Sequence, residues 1–383
     1  MKKLDSFSFS RRRLLLAGAA TLTGCGGGSN LSGLLPGTGG TGIGVQGTIS
    51  GFGSVIVKGT KYDDRTASIF LDGTASASSN LRIGMVANIS GSLDSGTSTG
   101  TANRIDIWSI ASGPLRFVDV VGASFQMVGM QFTTDSSTAF EGITSLSAIT
   151  TDIAVTVWGL QTSSDGRNWL ATRIKAIGAT STAIVTTGLL NPVAGTLNGY
   201  ALTGASLSGY SDGQLVRAEG LLDNGTGVLT ARTLTALGAE KLLSLSGKVE
   251  LEGAVTRVID SNHFALGTVT VDTTGIAGSS AISAINVGTL VEVSGVMQQG
   301  GLKASEMTIQ GASEVMQIDI TGTVELFNDI SDFTVRGQRC DASSAAVQTG
   351  MISNMHLGSK VHVSGPTTGD EVLKVQYISV DVP

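Results

Sequence analysis

Apolar and polar residues alternate along this chain in short runs of period two, and one run keeps returning. Val291-Glu292-Val293-Ser294-Gly295 recurs as Val216-Arg217-Ala218-Glu219-Gly220, Val155-Thr156-Val157-Trp158-Gly159, Val361-His362-Val363-Ser364-Gly365 and Ala87-Asn88-Ile89-Ser90-Gly91. Period two puts the Val or Ile of each run on one face of a strand, and the final glycine predicts a strand that stops in a turn. In four copies a second glycine (Gly84, Gly213, Gly288, Gly358) stands seven residues ahead of the last; in the second copy that slot is Asp152. Five copies about 70 residues apart predict five repeats.

Other strands follow from the same alternation. Each repeat opens on Gly-x-apolar: Gly47-Thr48-Ile49, Gly113-Pro114-Leu115, Gly188-Leu189-Leu190, Gly247-Lys248-Val249 and Gly322-Thr323-Val324. Next comes apolar-x-apolar-x-Gly-x-x-apolar: Val55, Val57, Gly59, Tyr62; then Phe125, Met127, Gly129, Phe132; Tyr200, Leu202, Gly204, Leu207; and Phe333, Val335, Gly337, Cys340. The fourth copy (Phe264, Leu266, Gly267, Val269) is one residue shorter. A glycine inside a strand pattern predicts a bulge or sharp bend. A variable Ser/Thr/Ala-rich connection of roughly 20 residues precedes the recurring run, and a last strand follows it, as in Ala102 to Ile105 or Ala304 to Met307. Turns such as Ser164-Asp165-Gly166 and Asp223-Asn224-Gly225 suit hairpins. Five strands with a break between the third and fourth predict an all-β chain of five tandem small Greek-key barrels of the OB type. A β-solenoid is the competing architecture, but its coils recur at shorter periods. The predicted divisions are repeats at 45–110, 111–178, 186–238, 245–311 and 318–382, the third being the shortest and least regular.

The N-terminus changes the picture. Residues 1–24 read as an export signal: Lys2, Lys3, Arg11, Arg12 and Arg13 precede an apolar run, Leu14 to Thr21, too short to span a bilayer. Leu22-Thr23-Gly24-Cys25 resembles a bacterial lipobox, which implies cleavage before Cys25 and acylation of that cysteine, hence stable anchoring to membrane lipid. Ser10-Arg11-Arg12-Arg13-Leu14-Leu15 also resembles a twin-arginine signal, and Gly26 after the cysteine favours the outer membrane. Residues 25–44 are a glycine-rich tether. Removing the signal takes five basic residues and one acid from totals of 24 and 30, leaving a net charge of −10. An acidic chain without a basic block lacks the means to neutralise phosphates, which argues against nucleic acid as a partner. With Cys25 acylated, Cys340 has no intramolecular disulfide partner.

The lipobox, the tether and the run Gly47, Ile49, Phe52, Gly53, Ser54, Val55, Val57, Gly59, closed by Gly-x-x-Val-x-Val-x-Gly, resemble a family of bacterial envelope lipoproteins built of a domain of unknown function. The resemblance covers the mature chain, is closest in the first repeat, and implies location and fold but no catalytic residue.

Chemistry-bearing residues are few. His356, His362 and Cys340 together make a metal site conceivable, but Cys340 occupies a core slot and His362, between Val361 and Val363, points outward. Asp63-Asp64 and Asp370-Glu371 fall in turns, where solvated charge is the ordinary explanation. No glycine run is followed by Lys-Ser/Thr, so none reads as a phosphate-binding loop. Trp108, Trp158 and Trp169 lie in or beside the first two repeats; Trp158 faces away from its own core, to pack on an adjoining barrel or stack on a sugar. The sequence therefore predicts no catalytic residue, no cofactor and no metal. It points to a lipid-anchored, non-catalytic envelope module that binds a polysaccharide or protein or serves as structure. A surface adhesin or coat component and a glycan- or peptide-binding periplasmic protein are the alternatives.

Overall fold

The computed structural model describes residues 42–94, 96–150, 153–179, 182–237, 248–276, 285–298, 301–310, 316–367 and 371–380. Cys25, the export signal, Asp152, Gly247 and Asp370 lie outside them.

The described chain is all-β, with strands gathered into five small barrels. In barrel 1 the first strand, Gly42–Phe52, pairs antiparallel with the second, Val55–Val57, and the second with the third, Thr60–Asp63. The third runs parallel to the fifth, Thr99–Ile107; the fifth pairs with the fourth, Val86–Leu93, and the fourth returns to the first. That closed order, 1-2-3-5-4-1, is a five-stranded OB-type barrel. It recurs from first strands Ala111–Asp119, Ala183–Asn191, Lys248–Val258 and Gln317–Asp329. In barrel 5 the fifth strand is broken into Val372–Lys374 and Tyr377–Val380. Period-two patterning explains the closure: Val45, Ile49, Ile89 and Ile105 are fully buried inside barrel 1.

Several local readings of the sequence are corrected. The glycine of each recurring run does not end its strand: Gly295 lies inside Leu290–Gln298, and the pairing with the fifth strand shifts register between Ser294 and Gly295. The same shift falls at Gly91, Gly159 and Gly220. A Cβ at Gly295 would land on the carbonyl oxygen of Lys303, so the bulge admits only glycine. The glycine after the second strand is not a bulge but half of a two-residue hairpin turn. Lys58 and Gly59 have φ 53° and 73°, Arg336 and Gly337 51° and 70°, the positive pair that matches strand twist. In the third repeat this turn is Asn198-Gly199, five residues before the predicted Gly204, because the second strand there is only Thr196–Leu197. Thirdly, Gly288 N–H donates to Val255 O as Gly84 N–H does to Ile49 O, which makes Gly253, rather than Gly247, the counterpart of Gly47. The first strand also starts at Gly42, inside the stretch assigned to the tether.

The barrels are joined through their long first strands. The first half of each such strand leaves one edge open, because the second strand pairs only with its latter part. Residues 43–46 of barrel 1 pair in parallel with 248–251 of barrel 4, and Gly51 and Phe52 pair with Asp319 and Ile320 of barrel 5. Ser112 of barrel 2 pairs with Val185 of barrel 3. Covering these edges removes templates for pairing between molecules. Cores follow the same joints: barrels 1 and 5 share one apolar cluster, which also takes in Trp158 of barrel 2, barrels 2 and 3 share another, and barrel 4 has its own. Trp158 is 7% exposed, so its outward indole packs on the neighbouring barrel.

Candidate functional site

Where barrels 1, 2, 3 and 4 meet they line a partly open cavity of about 510 Å³, within the ~300–1,000 Å³ range of small-molecule sites. Its barrel 1 wall consists of outward positions on three adjacent strands: Gln46, then Asn88 and Ser90, then Arg104 and Asp106. They alternate with the buried Val45, Ala87, Ile89, Ile105 and Ile107. Barrel 2 contributes Gln161 and Trp169, barrel 4 Glu252 and the turn around Gly267, and barrel 3 the apolar Leu215 and Leu237.

Trp108 follows the fifth strand of barrel 1 and is held from behind. Ser109 N–H donates to Asp72 Oδ1 at 2.8 Å and Ser109 Oγ to Asp72 Oδ2 at 2.9 Å. Arg217, from the fourth strand of barrel 3 and 3% exposed, donates through Nε to Ser109 O at 2.8 Å and stands 3.2 Å from Asp72 Oδ1. Its guanidinium lies 5.6 Å from the centre of the Trp108 ring. Trp169 spends its N–H on Gly166 O at 2.9 Å, leaving ring surface for the cavity.

Of the polar groups, Arg104 and Asp106 neutralise each other through two bonds of 2.6 and 2.7 Å. Glu252 accepts from Thr48 N–H at 2.7 Å and Thr48 Oγ at 3.2 Å across the seam between barrels 1 and 4. Burial pushes its carboxyl above the ordinary range; Thr48 N–H opposes this, Glu292 adds to it and Lys58 works against it. Gln161 is 9% exposed and donates through Nε2 to Ser163 O at 2.7 Å, while its Oε1 is buried without a partner. That oxygen faces the barrel 4 turn, 3.4 Å from where a Cβ on Gly267 would stand. Gln46 and Asn88 make no side-chain hydrogen bond within the described chain. Amide groups, indole faces and neutralised charges suit binding by hydrogen bonds and stacking.

The residues singled out in the sequence fall elsewhere, Trp108 and Trp169 excepted. Cys340 is sealed in the core, where burial pushes its thiol far up. His356 Nδ1 lies 2.7 Å from Asn354 O, and His362 Nε2 lies 3.2 Å from Asp319. Among the described residues no three His, Cys, Asp or Glu side chains gather to hold a metal. Asp63 is lowered to about 2 by its hydrogen bonds to Arg65, and Asp64 accepts from Ser78 Oγ. Glu371 accepts from Gly142 N–H at 3.0 Å, bracing barrel 5 on barrel 2. Sequence reasoning missed Gln46, Asn88, Arg104, Asp106, Gln161 and Glu252. The alternation marked several of these as outward, but nothing in it says that four outward surfaces meet.

The described residues thus form closed barrels of OB strand order with a mixed polar and aromatic cavity at their junction. Residues 113–175 and 252–308, in barrels 2 and 4, match a family described as Domain of unknown function (DUF5666). No curated protein matches the chain. Among solved structures it is similar to "drosophila Unr CSD456", at 12% identity over 44% of this chain and 76% of that one, with a TM-score of 0.15.

Proposed function

We propose that this chain is a non-catalytic binding protein of the bacterial envelope, anchored to membrane lipid through acylated Cys25, whose ligand enters the junction cavity. The observation that carries the binding reading is Gln161 Oε1, a buried acceptor without a partner on the wall of that cavity; such a group costs free energy unless a ligand or water satisfies it. The lining favours binding over catalysis. Neither histidine nor cysteine lines it, Asp106 is bound by Arg104, and Glu252 is engaged by Thr48. Native mass spectrometry of the protein taken from its own membranes tests this reading. A small-molecule adduct is expected on the wild type and absent from Trp108→Ala; no adduct on either overturns it. The anchor is tested by fractionation, Cys25→Ala moving the chain out of the membrane fraction.

A surface adhesin or coat component is the second reading, favoured by two fully exposed apolar hairpin tips, Val121 in barrel 2 and Val193 in barrel 3, at 99% and 94% exposure. Proteinase K on intact cells separates the two. Digestion supports surface display, and protection until lysis sinks it.

A further inference from the structure

We infer that the junction cavity takes an uncharged saccharide ring, with Trp108 as its stacking platform and Gln161 and Asn88 as its hydrogen-bonding groups. The inference deepens the binding reading above and rests on it. Three features of the wall point to this chemistry.

The first is charge. A ligand that carries a bare charge needs a bare partner, since an ion loses its hydration on entering a partly closed site. Neither sign is on offer. The Arg104 guanidinium is bound on two nitrogens by Asp106, and Glu252 is occupied by the Thr48 backbone and hydroxyl. An anion would meet a guanidinium whose charge Asp106 already balances, and a cation would meet either that balanced Asp106 or Glu252, whose charged form burial disfavours.

The second is the kind of polar group left over. Gln161 Oε1 needs a donor, and the amides of Gln46 and Asn88 each offer a donor and an acceptor with no partner within the described chain. A hydroxyl also donates and accepts at one atom, so a ring carrying several hydroxyls can satisfy all three. An apolar ligand would leave Gln161 Oε1 unpaired at a cost.

The third is shape. Trp108 and Trp169 present indole surface to the cavity beside Leu215 and Leu237, and the Asp72, Ser109 and Arg217 contacts fix where Trp108 sits. A flat ring with a C–H face and hydroxyls at its rim fits such a wall, its face on the indole and its rim toward the amides.

The test titrates the full mature chain, in detergent, with three neutral disaccharides (cellobiose, maltose and N,N′-diacetylchitobiose) and with glucosamine and glucuronate as charged counterparts. Tryptophan emission and calorimetry provide the readouts. At least one neutral disaccharide is expected to bind and shift the emission, with both charged sugars at least about tenfold weaker. Asn88→Ala and Trp108→Ala are each expected to weaken binding about tenfold, while Phe117→Ser, on the exposed first strand of barrel 2, leaves it unchanged. The Asn88 side chain makes no hydrogen bond within the described chain, so its variant remains informative if the tryptophan variant misfolds. Tighter binding of either charged sugar overturns the ligand class. So does silence from every sugar while a Trp108-dependent adduct persists in native mass spectrometry, and in that case the binding reading stands. Silence in both experiments overturns both.

Discussion

Arg173 offers the sharpest test of how the barrels are held together. It lies in the fifth strand of barrel 2, 2% exposed, and donates through Nη1 to Ile83 O of barrel 1 at 2.8 Å. Its other terminal nitrogen is bound by Glu141, which also has Lys175 Nζ at 3.0 Å and keeps 30% of its side chain exposed. The two partners are therefore unequal. Glu141→Gln leaves a buried cation without a counter-ion and costs about 3 kcal/mol, the low end for breaking such a pair because the amide oxygen still accepts. Arg173→Met removes the charge, leaves Glu141 with Lys175 and water, and forfeits mainly the bond to Ile83 O, about 1.5–3 kcal/mol less the desolvation no longer incurred. We expect Glu141→Gln to be the more damaging by about 1 kcal/mol, and to cost under about 0.5 kcal/mol in the Arg173→Met background, since the coupling is then gone. Urea unfolding followed by tryptophan emission measures this, Trp158 being buried at the same junction. The acid limb follows with a definite sign. Burial raises the Glu141 carboxyl, but Arg173 and Lys175 outweigh it and hold the group below 4.5. Its contribution is present above 4.5 and lost as pH falls through the depressed value. A larger penalty for Arg173→Met than for Glu141→Gln, or additive single changes, would refute the reasoning.

Three further outcomes are expected. Gly295→Ala should destabilise barrel 4 by about 1–3 kcal/mol, because its Cβ meets a backbone oxygen, while Gly253→Ala, whose nearest neighbour is Leu266 Cβ at 3.7 Å, should change the melting temperature little; equal effects would contradict the bulge. Glu252→Gln should gain on the wild type as pH rises, since a carboxyl raised in the folded state contributes stability below its ordinary 4.5 and loses it as pH climbs through the raised value; a gap constant from pH 4 to 8 in urea melts would sink this. Cys340, sealed in the core with its thiol pushed up, should resist maleimide at pH 7 and react only on unfolding; rapid labelling of the native chain would contradict its placement.

Repeat number and strand order were legible because both follow from period-two patterning, which local residues set. Val55, Val57 and Tyr62 fall on the barrel interior, all fully buried, because the two positive-φ residues between the strands keep the register. The role of the last glycine was not legible. Gly295 followed by Val296 reads like a strand meeting a turn, and only the paired strand reveals that Lys303 O fills the space a Cβ would need. The third repeat misled for a related reason: its two-residue second strand is too short to show a period, so the longer pattern at Tyr200 and Leu202 took its place. Trp158 could be assigned to an outward face from its neighbours, but nothing nearby in sequence identifies barrel 1 as what it meets.

The cavity escaped the sequence because it belongs to none of the barrels. A barrel of about 60 residues is marginal alone, and a first strand longer than its second leaves an edge that needs covering. Pairing residues 43–46 with 248–251 covers that edge and brings Glu252 to Thr48. The same joint presents the outward residues of barrel 1 to barrels 2 and 4. The barrel 1 wall is thus made of outward side chains, free to change without disturbing that barrel's core, while the joints that hold the walls apart combine backbone pairings with side chains such as Trp158 and Arg173. On the proposed binding reading, specificity would vary at positions such as Gln46, Asn88 and Gln161 while the alternation that defines the repeats stays intact.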